Sequence, residues 1–403
     1  MIISQLYFNP EQMKFLSATI ISFFVFNTLF SFNESQKNAI DTINDQSRDI
    51  ELISFQVSSS HETYSSPRVF NLLGLFNSPG LSNSSEVFNS AGTTDKSRVP
   101  KFDASIKTKY EYALKTKMSR FSVRNSRMGI SGYIADPLKY RVQVELSSEG
   151  KFEVLDLNGT INLFKGFNLT LGQTGLPIFN SYIITPSQML FANRAFIGKY
   201  FTGTRDIGVL ASYKSQLKSI PVELEFGVFN GTTINNPEWT NRPSYAGRVQ
   251  FGSMAGMRAT AKFYKNTHID SDDLLFLGAD IRYSSQNYKI EAEFMNRHNV
   301  ITKTDRSALY IQGAYTFIPF NGKIIRSLTP ALRWDAIGEN LRVSKIDASR
   351  FTFGLALGLS NNPNGSLVRF DYEHYLVERP IAEFNKYDEM DSDKFTVELL
   401  IIF

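Results

Sequence analysis

The stretch Phe351 to Leu359, FTFGLALGL, alternates large apolar residues with smaller or polar ones. Its large side chains recur at every second position, which is the period of a β-strand whose two faces meet different surroundings. The same period begins about a quarter of the way along the chain, at Phe102 to Glu111 (FDASIKTKYE), and returns in segment after segment. The sequence therefore predicts an all-β fold that extends to the end of the chain.

About sixteen such runs lie between Phe102 and Phe403, and an even number of strands is typical of an outer-membrane β-barrel. The connections are predicted to alternate between short turns and long loops. The long ones are Leu176 to Arg205, Asn230 to Arg242, Lys265 to Asp273, Ile337 to Ser349 and Glu378 to Lys394. A soluble sandwich or propeller would show the same period with its apolar faces inward. The loop asymmetry and the aromatic end of the last strand favour a transmembrane antiparallel β-barrel, apolar outside and polar inside.

The residues before the barrel are predicted to form two parts. Phe15 to Phe32 is the one long apolar run, and it lies between Lys14 and the polar Asn33. We interpret residues 1–32 as a secretory signal peptide with a true start at either Met1 or Met13, and a single membrane anchor is the alternative. Residues 33–100 are rich in Ser, Asn and Thr and are predicted to be a loosely ordered periplasmic extension. Residues 101–403 form the predicted barrel.

Composition excludes several classes of protein. A mean hydropathy of −0.19 leaves no room for a bundle of membrane helices. The chain has no cysteine, so disulfides, thiolate metal sites and cysteine nucleophiles are excluded. A net charge of +4 gives no support to nucleic-acid binding. None of the four histidines has a convincing serine or carboxylate partner in the sequence, so we expect a passive channel without a cofactor, not an enzyme.

Several segments resemble, in order, landmarks of the phosphate-selective porin O and P family. They are Arg124–Gly132 (RNSRMGISG), Gly172–Pro177 (GQTGLP), Phe191–Arg194 (FANR), Gly203–Val209 (GTRDIGV) and Gly227–Gly231 (GVFNG). The resemblance implies a sixteen-stranded porin in the outer membrane of a Gram-negative bacterium, usually trimeric, whose basic residues attract anions. It also implies contact with outer-membrane lipid and lipopolysaccharide, and recognition of Phe403 by the barrel-insertion machinery.

The loop from Leu176 to Arg205 is the main candidate for a functional element. Loops longer than about 12 to 15 residues are usually functional or disordered, and this one is rich in apolar side chains that need a surface to pack on. We expect it to fold into the lumen as a constriction; an outer cap or a trimer contact are the alternatives. Acidic and basic residues of the predicted inner wall nearly balance, so local charge at the narrowest point should decide selectivity. The candidate residues are Arg194, Lys199, Arg127, Arg141, Lys107, Lys109, Arg248 and Arg258.

The predicted function is passive diffusion of small hydrophilic solutes, favouring anions such as phosphate. The alternative is a structural or adhesive barrel whose lumen is closed and whose loops bind a partner.

Overall fold

The computed structural model describes residues 98–148, 151–178, 188–201, 203–269, 272–318, 324–341, 346–360, 365–379, 381 and 392–403. These residues form seventeen strands and one short helix, α1 (Phe196–Tyr200). The strands are β1 (Lys101–Ala113), β2 (Met118–Val123), β3 (Ser126–Ala135), β4 (Leu138–Ser148), β5 (Lys151–Phe164), β6 (Phe167–Gly175), β7 (Arg205–Leu217), β8 (Ile220–Phe229), β9 (Ser244–Gly252), β10 (Gly256–Ile269), β11 (Asp272–Ser284), β12 (Tyr288–Asn299), β13 (Thr304–Tyr315), β14 (Ser327–Gly338), β15 (Ala348–Gly358), β16 (Leu367–Val377) and β17 (Lys394–Ile402). The predicted signal peptide and nearly all of the predicted extension lie outside the described residues.

The strands close into one antiparallel barrel. Consecutive strands from β3 to β17 pair with each other, and β17 returns to β1, where Tyr110 lies opposite Val397. On its other edge β1 pairs first with β3 and then with β2. The register shifts by one residue between these two partners, beside Asn125 with its positive φ of 57°. β2 and β3 therefore occupy one interrupted position, and the predicted barrel of sixteen strands is confirmed with one extra strand.

The outer face of the barrel is apolar and exposed. In β15, for example, Phe353 and Leu355 are exposed on the outer face. Thr352, which lies between Phe351 and Phe353, is fully buried on the inner face. A soluble sandwich would bury these apolar side chains. The exposed apolar face and the closure of every strand edge are what a bilayer requires, because lipid offers no partners to unpaired backbone groups.

The inner face is not polar throughout, contrary to the expectation from the alternation. At the end of the barrel that carries the long loops, apolar side chains also point inward and pack together. They are Leu210, Phe229, Ala246, Tyr264, Phe276, Met295, Ala308, Tyr310, Ile337, Ala348 and Tyr375. The loop after β6 adds Leu176, Ile178, Phe196, Ile197 and Phe201 to the same core. We call this core the inner apolar cluster; it anchors the loop inside the barrel.

The connections partly follow the predicted alternation. The connections after β6, β8, β14 and β16 are long (residues 176–204, 230–243, 339–347 and 378–393), and the strand ends that they join lie at one end of the barrel. The predicted long gap from Lys265 to Asp273 is wrong, because β10 runs to Ile269 and β11 starts at Asp272. At the opposite end, residues 316–326 form a longer connection than the turns around it. No helix among the described residues is long and apolar enough to cross a membrane.

Candidate pore constriction

Residues 188–201 of the loop after β6, which we call the inner segment, lie against the inner face of the barrel. Wall cations donate hydrogen bonds to its carbonyl oxygens: Arg369 Nη2 to Met189 (2.6 Å), Lys107 Nζ to Ala192 (2.9 Å), Arg333 Nη1 to Asn193 (2.9 Å) and Arg350 Nη2 to Arg194 (2.9 Å). These cations come from β1, β14, β15 and β16, which are neighbours across the closure of the barrel. The inner segment thus lies against the wall opposite β6.

Wall carboxylates accept hydrogen bonds from N–H groups of the same segment. The amide nitrogen of Ala192 donates to Asp371 Oδ2 at 2.7 Å, and that of Phe196 donates to Asp335 Oδ2 at 3.0 Å. Asn193 Nδ2 donates to Glu373 Oε2 at 3.1 Å. Buried charges are stable only when paired and hydrogen-bonded. Backbone groups and the Asn193 amide of the inner segment therefore provide hydrogen-bond partners for the buried charges of the wall.

Arg350 is at the centre of this contact. Its guanidinium is fully buried and binds Asp335 with two nitrogen atoms, at 3.0 and 2.7 Å, and Glu373 at 2.7 Å. The same group lies 4.7 Å from the centre of the Phe196 ring, a cation–π distance. Sequence reasoning missed Arg350, although it precedes Thr352 by two positions and so shares its polar face.

An aromatic contact fixes the other end of the segment. The Phe191 ring packs over Gly354 of β15, where a Cβ atom would lie 2.8 Å from a ring carbon. The Arg333 guanidinium lies 4.7 Å from the centre of the same ring. The Phe191 ring can therefore pack at this position only because residue 354 has no side chain.

Arg194 faces away from this wall, towards β3 and the start of β7. Its Nη1 atom is buried and has no hydrogen-bond partner among the described residues. Removal from water, and then the positive charges of Arg127 and Arg205, lower the pKa of Arg194 to about 10, which leaves it charged at neutral pH. Arg127 pairs with Glu145 at 3.3 Å and Arg205 pairs with Asp156 at 2.8 Å. This arginine cluster (Arg127, Arg194, Arg205) thus contains one cation, Arg194, that forms no ion pair with a carboxylate in the described part of the chain.

The other predicted site residues do not converge on this cluster. Lys107 binds Glu398 at 2.8 Å, and Lys109 donates to the Asn193 side chain at 2.8 Å, so both hold the inner segment. The remaining ion pairs are Arg141 with Asp103, Arg248 with Glu225 at 2.6 Å, and Arg258 with Asp280 at 2.7 Å. Lys199 lies in α1, and its side chain is outside the described residues.

Two histidines have carboxylate partners that the sequence did not reveal. His298 lies 3.0 Å from Asp305, and His374 lies 2.8 Å from Asp393. Side chains alternate between the two faces of a strand, and both histidines are adjacent in sequence to inward-facing residues. They therefore point away from the lumen. In the described part of the chain, no group of three or more His, Asp and Glu side chains could hold a metal ion.

The order of landmarks, the closed barrel and the inward loop agree with the comparison with known families. The family described as phosphate-selective porin O and P matches residues 102–323. The chain belongs to this porin family. A comparison with curated protein sequences gives no significant match.

Solved structures of porins share the fold. The porin is similar to an anion-selective porin from Comamonas acidovorans (TM-score 0.53, 11% identity, 76% of this chain and 99% of that one). It is also similar to OmpF of Salmonella typhi in complex with daunomycin (TM-score 0.52, 13% identity, 75% and 97%). A third similar structure is the outer-membrane channel DcaP of Acinetobacter baumannii (TM-score 0.51, 12% identity, 75% and 97%). The protein is an outer-membrane β-barrel porin of a Gram-negative bacterium.

Proposed function

We propose that this porin is a passive channel for small hydrophilic solutes and that it favours anions such as phosphate. The observation that carries the proposal is the arginine cluster. Two of its guanidinium groups are ion-paired, whereas the third, on the inner segment, has a buried nitrogen atom without a partner. The unpaired nitrogen is itself buried, but the Arg194 side chain is partly exposed, so its charge can attract a passing anion.

The exposure of the inner face supports a water path on this side of the lumen. The inward side chains of β14 to β17 are almost fully buried beneath the inner segment, as in Thr352, Arg369 and Glu398. The inward side chains in the middle of β5 and β6, in contrast, are partly exposed, as in Thr160 and Thr170. We infer that solutes pass along β3 to β7, beside Arg194, because the opposite wall is filled.

Local charge should then decide selectivity. Many wall cations elsewhere, such as Arg248, Arg258 and Arg369, are paired with carboxylates, so each such pair contributes little net potential at a distance. At physiological salt, charges are screened over about 8 Å. Within that distance of a narrow path, the net positive charge of the arginine cluster favours anions over cations.

Single-channel recording in a potassium chloride gradient tests the proposal. We expect the wild-type reversal potential to lie on the chloride side of zero and to move towards zero in Arg194→Gln. Arg242→Gln is the matched control, because Arg242 is an exposed cation of another loop. A wild-type channel that prefers cations, or equal behaviour of the two variants, would contradict the proposed selectivity.

One observation favours a second function, a structural or adhesive barrel with a closed lumen. The buried ion pairs of β14 to β17, which lie beneath the inner segment, support this alternative. The same recording separates the two functions, since a closed barrel would produce no steps of current.

We also propose the partners that the family resemblance implies. The exposed apolar belt, which includes Leu355, is suited to outer-membrane lipid and lipopolysaccharide. Phe403 is exposed at the end of the last strand and is therefore accessible to the barrel-insertion machinery. A homotrimer remains a prediction.

A further inference from the structure

The inner face of β5 and β6 below the arginine cluster differs from the rest of the wall. Its inward side chains are amides and hydroxyls without a charge. We call this group the polar strip; it consists of Asn158, Thr160, Asn162, Asn168 and Thr170. All five side chains are half-exposed. Elsewhere the inner wall consists mostly of buried ion pairs.

The strip is held in a fixed arrangement by bonds between its own strands. Thr160 Oγ1 and Thr170 Oγ1 are 2.9 Å apart, and Asn162 Nδ2 donates to Asn168 Oδ1 at 3.0 Å. Each of these bonds uses only part of what the groups offer, because a hydroxyl has one donor and two acceptor positions and an amide has two of each. The strip therefore presents preorganised donors and acceptors to the lumen.

Cations flank the strip. Arg205 pairs with Asp156, which precedes Asn158 by two residues on the same strand. Lys139 of β4 lies directly opposite Thr160, and its side chain is exposed. From Asn158 to Asn162 the strip is about 13 Å long, at about 3.3 Å per residue. A solute longer than a single inorganic anion can therefore contact a cation and several neutral groups at once.

We propose that the polar strip binds small polyhydroxylated anions, such as sugar phosphates, whose charged group meets Lys139 or the arginine cluster and whose hydroxyls meet the strip. This inference rests on the proposed anion preference and specifies its solute class. Inorganic phosphate can pair with the cations, but it has no sugar hydroxyls to form hydrogen bonds with the strip. An uncharged sugar satisfies the strip but not the cations.

Block of the ion current in planar bilayers tests the inference, with three probes: glucose 6-phosphate, inorganic phosphate and glucose. We expect glucose 6-phosphate to block at lower concentration than either of the other two. Thr160→Val with Thr170→Val keeps the shape of the pair and removes both hydroxyls. It should weaken block by glucose 6-phosphate about fivefold or more, as expected from the loss of one or two hydrogen bonds, and leave block by phosphate unchanged.

The chain provides a matched control for this double variant. Thr316 Oγ1 and Thr329 Oγ1 form a similar pair, 3.0 Å apart, at the β13–β14 side of the barrel. Thr316→Val with Thr329→Val should leave block by glucose 6-phosphate at the wild-type level. Lys139→Gln should weaken block by glucose 6-phosphate and by phosphate, because both probes carry the charge.

The outcomes separate this inference from the proposed function. Equal block by the three probes in an anion-preferring channel would overturn the inference alone, as would equal effects of the two threonine pairs. A channel without anion preference that is still blocked most strongly by glucose 6-phosphate would overturn the proposed selectivity and support the strip. Each variant is examined as a conducting channel, so failure to fold is recognised by the absence of current steps.

Discussion

Replacement of Arg350 by methionine should release the inner segment from the wall. The guanidinium donates to two oxygens of Asp335 and to Glu373, Tyr375 and the carbonyl oxygen of Arg194, over distances of 2.7 to 3.0 Å. Methionine fills a similar volume but donates no hydrogen bond. Asp335 and Glu373 would remain buried, with Arg333 3.7 Å from each of them and Lys394 3.3 Å from Glu373.

The cost follows from these contacts. Removal of one partner from a buried ion pair typically costs about 3–5 kcal/mol, because the remaining charge is left without compensation. Arg333 and Lys394 still compensate part of the remaining charge, so we expect Arg350→Met to lower the free energy of unfolding by about 3 kcal/mol, the lower end of this range. The single-channel current should also become noisier. Arg379→Met is the control, since Arg379 pairs with Asp347 at 2.9 Å but its side chain is 45% exposed. An exposed pair contributes about 1 kcal/mol or less.

Urea unfolding in lipid vesicles, followed by tryptophan fluorescence, measures both variants. Arg350→Lys should lose less stability than Arg350→Met, because lysine keeps the positive charge between Asp335 and Glu373. Equal unfolding free energies for Arg350→Met and Arg379→Met would refute the role of Arg350 as an anchor. A loss in Arg350→Lys as large as that in Arg350→Met would refute the electrostatic reason given for it.

Other substitutions test separate parts of the structure. Gly354→Val should displace the Phe191 ring and change the single-channel conductance, whereas Gly313→Val on the outer face, where a Cβ has ordinary contacts, should not. Leu355→Arg should cost about 2–4 kcal/mol and reduce assembly in the outer membrane, as charges facing lipid at mid-membrane do; normal yields would show that this face is assigned incorrectly. Deletion of Phe403 should lower the amount of folded barrel in the membrane while export continues, and unchanged yields would count against its recognition.

The barrel could be predicted from sequence because its signal repeats in every strand. The period of two places Phe353 and Leu355 on one face and Thr352 on the other, and the structure shows the same division. The loop after β6 was also recognisable, since its length and its apolar residues, such as Phe196 and Phe201, require a surface to pack on.

The details of the constriction were not predictable in the same way. Whether a wall cation faces water or binds the inner segment depends on contacts between residues far apart in the chain, such as Lys107 with Ala192 and Arg350 with Asp335. Alternation gives the face of a side chain but not its partner. For the same reason the inner apolar cluster was not predicted, since a filled interior and an aqueous one produce the same period.

In the proposed channel, solutes pass along β3 to β7, and the inner segment covers the inner face of β14 to β17. Because the chain contains no cysteine, single substitutions give specific thiols. Thr160 and Thr352 are inward threonines on the two walls, the first half-exposed and the second fully buried. A charged methanethiosulfonate reagent, added during single-channel recording, should rapidly reduce the current of Thr160→Cys and leave that of Thr352→Cys unchanged. Rapid modification of Thr352→Cys, or an unreactive Thr160→Cys, would contradict the claim.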